Sequence, residues 1–174
     1  MDNSLVVIFF ASFLFSLAPI FLLSFTCFLK IQIVLSIFKN SLGVQGVPSA
    51  LITMLLSLAL SFLIMEPITQ KSLDTLSEIS FDDFQNLEIG EQVGLVQEVL
   101  LPWVSFIKKH TSEEDSRFVL SLVRANQENL GLEKKSRFLL SDYSRTLLAF
   151  LITEIKEAFE IGLLIIIPLS LIHI

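Results

Sequence analysis

Two stretches of this chain carry no charged residue, Asn3 to Leu29 and Asn40 to Met65. Few water-soluble folds can bury so much uninterrupted apolar chain. As helices, Leu5 to Phe28 would reach roughly 36 Å and Val47 to Met65 roughly 28 Å. A bilayer core is about 30 Å thick, so both stretches read as membrane spans. Composition agrees, with 53% of the 174 residues hydrophobic and 17% charged, against about 25% charged in an ordinary soluble domain. Sixteen Phe stand against one Tyr and one Trp, so the aromatic content is almost wholly apolar. A net charge of −6 excludes a basic nucleic-acid binder, and the single cysteine, Cys27, excludes an internal disulfide. A cleaved signal peptide needs a positive n-region and a short apolar core. Here Asp2 precedes a longer run and no Lys or Arg comes before Lys30, so the first stretch reads as a retained span.

The expected fold is all-α: a polytopic membrane protein with two complete apolar spans, a helical soluble insertion and an incomplete third span. Residues 1–65 form the hairpin of spans, 66–145 the insertion and 146–174 the start of the third span. Asn40, Gly43 and Gly46 are candidates to end a helix, and Pro48 suits the first turn of the next. Glu66-Pro67 closes the second span. The insertion holds 14 acids and 9 bases. Val93, Val96, Leu100, Trp103 and Ile107 recur at helical spacing, and Thr111-Ser-Glu-Glu114 reads as a capping box opening a further helix. Asn126, Asn129 and Gly131 mark a break. Residues 161–174 are charge-free but reach only about 21 Å as a helix, too short to span. The link between the first two spans carries Lys30 and Lys39 and no acid. The positive-inside rule puts that link in the cytoplasm and the insertion on the periplasmic side.

No catalytic constellation, cofactor motif or metal-ligand spacing stands out. Asp82-Asp83 and Glu113-Glu114-Asp115 read as solvated helix faces or caps, and the two histidines, His110 and His173, lie far apart in sequence. Glu154, Lys156, Glu157 and Glu160 are the informative charges. Lys156 and Glu160 can pair on one helix face. A charge within a span is costly, so these residues either sit at the membrane interface or meet polar partners, another subunit included. Both readings stand open on the residues alone. A stand-alone polytopic transporter or channel subunit is the alternative function. It requires an ionisable group inside a span, and the first two spans have none. A membrane-anchored enzyme with its site in the insertion would require an acid, base and nucleophile that the insertion does not present together.

The run Thr26-Cys27-Phe28-Leu29-Lys30, followed by Asn40-Ser-Leu-Gly43-Val-Gln45 and Pro48, resembles the SctR/FliP family of type III secretion export-apparatus membrane proteins. Phe62-Leu-Ile-Met65-Glu-Pro67 is similar to that family's Phe-x-Met-x-Pro, and Phe106-Ile-Lys-Lys-His110-Thr is loosely similar to its aromatic-basic run. Ala149 to Gly162, with Thr153-Glu154-Ile-Lys156-Glu157-Ala-Phe159 at its centre, resembles the family's Ser-Glu-Leu/Ile-Lys-x-Ala-Phe-x-Ile-Gly, and Pro168 matches the proline that follows. Lys39, Ser41, Gly46 and Leu148 depart from the usual Arg, Ala, Gln and Pro. Ser170 to Ile174 does not resemble the family's continuation into the rest of a third span, a Met-rich loop and a fourth span. An incomplete gene product is the expectation.

The resemblance implies an inner-membrane export-gate subunit, injectisome rather than flagellar from the Thr26-to-Lys30 run, with no chemistry of its own. It implies a closed homo-oligomer of about five copies, other small export-apparatus membrane subunits as partners, secreted proteins in transit, and membrane lipid around it. It also implies subunit-contact candidates: Lys30, Asn40, Gly43, Gln45, Pro48, Glu154, Lys156, Glu157 and Phe159.

Overall fold

The computed structural model describes residues 8–9, 12–13, 16–17, 24–42, 49–79, 87–129 and 139–172. Five helices order these residues, and no strand occurs among them: α1 Phe28–Ser41, α2 Ala50–Ser77, α3 Ile89–Lys109, α4 Glu113–Asn129 and α5 Leu139–Ile172. The long α5 is the hub. It packs on α1 most extensively, then on α4 and α3, while α2 packs on α1 and α3.

Each helix start has a local cause. Ser49 is extended and its hydroxyl accepts the Ile52 N–H at 3.4 Å, which caps α2. The Glu91 carboxylate accepts the Glu88 N–H at 3.3 Å at the start of α3. The capping signal at Thr111 is displaced by one residue. Ser112 Oγ accepts the Glu114 N–H at 3.2 Å, while the Thr111 hydroxyl donates back to the Ile107 carbonyl at 2.6 Å. Thr111 therefore closes α3 and Ser112 opens α4.

Helix α2 carries its small residues on one side. Thr53, Ser57, Ser61 and Met65, four apart, are all buried, which is the i±4 ridge used when two helices approach closely. The hydroxyls avoid being orphaned by bonding backward along the helix. Ser57 Oγ donates to the Thr53 carbonyl at 2.8 Å and Thr53 Oγ1 to the Ser49 carbonyl at 3.2 Å. Ser61 Oγ lies 3.7 Å from Cys27 Sγ, at the foot of α1. The opposite side presents Leu51, Leu55, Phe62 and Leu63, each more than half exposed. Among the described residues α2 is the one helix long and apolar enough to cross a membrane. Most of the expected first span lies outside the described residues, as do Gly43, Gln45, Gly46 and Pro48.

Two helices run past the expected span boundaries. Helix α2 does not end at Glu66-Pro67 but continues to Ser77 with Pro67 inside it. A proline removes one backbone bond. Here the turn that follows is tied by Thr69 Oγ1 to the Met65 carbonyl at 3.0 Å and by Gln70 Nε2 to Glu66 Oε1 at 3.1 Å. Helix α5 runs unbroken for 34 residues and carries the charged cluster at Glu154 in mid-helix.

Candidate functional site: a polar junction between α1 and α5

Helices α1 and α5 run side by side in the same direction, since Lys30 meets Glu154 and, two turns on, Ile37 meets Gly162. Gly162 is buried, and a Cβ there would run into the Ile37 side chain. The glycine thus sets how closely the two helices approach.

The run before α1 divides its labour. Thr26, Cys27 and Phe28 are all buried. Thr26 Oγ1 accepts the Phe28 N–H at 3.2 Å, Cys27 faces Ser61 of α2, and Phe28 fills the core. One turn on, Lys30 reaches α5. Its Nζ lies 2.8 Å from Glu154 Oε1 and 2.5 Å from Glu157 Oε2. Glu154 and Glu157 are three apart and so share a helix face, which lets one ammonium bridge both. Glu154 is 1% exposed and Lys30 20%. The Glu154 contact is an ion pair lying off good hydrogen-bond angles, and Glu154 Oε2 has no hydrogen-bond partner among the described residues. A buried carboxylate in that position depends on its cation, because the desolvation cost is several kcal/mol per ion.

A second polar node lies one helix face away. Lys156 Nζ is 2.8 Å from Asp115 Oδ1 of α4. The Thr153 hydroxyl is 2.8 Å from Asp115 Oδ2 and accepts the Ser112 N–H at 3.1 Å. Lys156, and with it the Thr153 hydroxyl, holds the Asp115 carboxyl below its ordinary pKa although burial pushes the other way. Asp115 also sits in the first turn of α4, where a negative charge suits the helix dipole. The expected Lys156–Glu160 pair is replaced by this interhelical bond. Asp115, read from sequence as a solvated acid, is buried. His110, at the end of α3, stacks on Phe106 with ring centroids 4.5 Å apart. Partial burial, then Lys30 and Lys109, hold its pKa below the ordinary histidine value, with Glu157 opposing them.

The structure thus joins the run around Lys30 to the run around Glu154, the two segments on which the sequence resemblance chiefly rests. The FliP family model matches residues 12–174 of the chain. The chain belongs to the FliP family. Relatives from both branches are similar to it at comparable levels. The surface presentation of antigens protein SpaP of Shigella flexneri is 29% identical over 164 residues, covering 92% of this chain and 71% of SpaP. Yop proteins translocation protein R of Yersinia pestis is 30% identical over 166 residues, with the same coverage of 92% and 71%. Flagellar biosynthetic protein FliP of Bacillus subtilis is 32% identical over 165 residues, covering 91% of this chain and 66% of that protein.

In this FliP-family chain Lys30, Glu154 and Glu157 come together, while Lys156 turns to α4. Asn40 is exposed at the far end of α1, where it shares a cavity with Ile37, Ser41, Ile166, Leu169 and Ser170. Phe159 stands 54% exposed on α5. Gly43, Gln45 and Pro48 lie outside the described residues. Sequence reasoning missed Asp115 and the Cys27–Ser61 contact. The available signal for Asp115 was its i,i+4 relation to Val119, which is 1% exposed.

Proposed function

We propose that this chain is a subunit of the export gate of a type III protein secretion system, forming part of an inner-membrane pore through which other proteins pass. The observation that carries the reading is the family match over residues 12–174, and the Lys30–Glu154–Glu157 junction adds a structural reason for the family's two charged runs. The chain would work as a scaffold. The junction fixes α1 against α5 and leaves the apolar outer faces of α2 and α5 to pack on sister copies, other small export subunits and lipid. About five copies would close the ring, with the 66–145 insertion on the periplasmic side and residues 146–174 beginning a third span. The Thr26-to-Lys30 run favours the injectisome branch.

The test is co-purification of the tagged full chain in mild detergent from cells carrying the rest of the apparatus. A high-mass complex containing the other small export-apparatus subunits is expected. A monodisperse single chain that conducts solute in liposomes would favour the stand-alone transporter.

A further inference from the structure

Helices α3 and α4 both pack on α5, and each turns a charged face to the outside. On α3, Glu91 and Glu98 are exposed and seven residues apart. Leu101 is exposed beside them, and a Cβ at Gly94 would meet nothing, so this side of α3 is open. On α4, Arg117 and Arg124 are exposed and also seven apart. They border an open groove with Leu120 and Ser121. Seven residues are close to two helical turns, so each like-charged pair lines up along one side of its helix, about 10 Å apart. Among the described residues Glu91, Glu98 and Arg124 form no ion pair, and Arg117 pairs only with Glu113 of its own helix, at 3.3 Å.

Opposite charges at equal spacing on two different faces of one chain fit a head-to-tail contact between copies. Two distinct, complementary patches generate a ring when the rotation between copies closes. We propose that α3 of one copy docks on α4 of the next, with Glu91 and Glu98 meeting Arg117 and Arg124 and with Leu120 seated over Gly94. Charge pairs of this kind set register and partner choice more than affinity, and the apolar contact at Leu101, Gly94 and Leu120 lies alongside them. This inference rests on the ring-forming subunit of the proposed function and goes beyond it in naming the two faces that meet. Both faces lie within residues 66–145, so the contact does not depend on where the apolar helices sit in a bilayer.

The test expresses the full chain in cells carrying the rest of the apparatus. Gly94→Cys and Ser121→Cys together should give, under mild oxidation, a ladder of covalent multiples of the chain, and neither alone should. In that background E91R/E98R should lower the ladder about tenfold, as like charges then face each other, and so should R117E/R124E. All four reversals together should restore it. Circular dichroism of each purified variant checks that the helices persist. An absent ladder overturns the proposal, and so does a ladder unchanged in folded chains with one face reversed. A high-mass export complex recovered without the ladder overturns the docking and leaves the gate reading standing, whereas a ladder without that complex supports the docking and counts against the gate.

Discussion

At the scale of single residues the account turns on Glu154 and Asp115, two buried carboxylates with different supports. Glu154 leans on one cation. Lys30→Ala should destabilise the chain by about 3 kcal/mol, because it strands a charge at a site 1% exposed. Lys30→Ala combined with Glu154→Leu should cost clearly less than the sum of the singles. Denaturant titration of the chain in detergent, read as a double-mutant cycle, measures that coupling. Asp115 has both a cation and a hydroxyl, and its pKa is lowered in the folded chain, first by Lys156. A group with a depressed folded pKa contributes stability above its unfolded value and loses it as pH falls through the folded one. Acid titration should therefore weaken the α4–α5 contact below about pH 4, and Asp115→Asn should remove that component of the pH dependence. Amide exchange in α4 as a function of pH reads it directly.

At the scale of helices, close approach is the common device. Gly162 against Ile37 and the Thr53-Ser57-Ser61 ridge of α2 both bring backbones together with little side chain between them. Gly162→Leu should separate α1 from α5 at a cost of about 1–3 kcal/mol, with Gly162→Ala milder, since the Ile37 side chain can give way. Ser61→Leu should disturb α1–α2 packing by a similar amount, read as loss of thermal stability and increased Cys27 labelling by a thiol reagent. Much of this level was legible in the sequence. Charge-free stretches and helical spacing pointed to helices, and Thr111-Ser-Glu-Glu114 marked a start to within one residue. What stayed hidden depended on neighbours. Pro67 looked like a stop because a proline costs a bond, whereas the tied turn around Thr69 and Gln70 carries the helix past it. Asp115 looked solvated because it follows two acids, and only the arrival of α5 with Thr153 and Lys156 makes it a buried partner.

At the scale of the whole molecule, α5 works as a strut. It binds α1 through Lys30 and α4 through Asp115, on adjacent faces of one helical segment, residues 153–157. The site was half legible in the sequence. Lys30, Glu154 and Glu157 stood out as charges in an apolar setting, but nothing in their spacing said that they meet one another, because the contact joins residues more than a hundred positions apart. In the proposed gate the same strut would hold the apolar outer faces of α2 and α5 in fixed register for neighbouring subunits. Assembly should then depend on a contact buried inside each chain. The direct measurement is the yield of the high-mass export complex co-purified with the Lys30→Glu chain, compared with wild type at equal expression. The account expects the yield to fall at least about tenfold, as a loss of several kcal/mol at the junction would give, with partial recovery in the Lys30→Glu/Glu154→Lys chain. A Lys30→Glu chain that assembles as fully as wild type would contradict it.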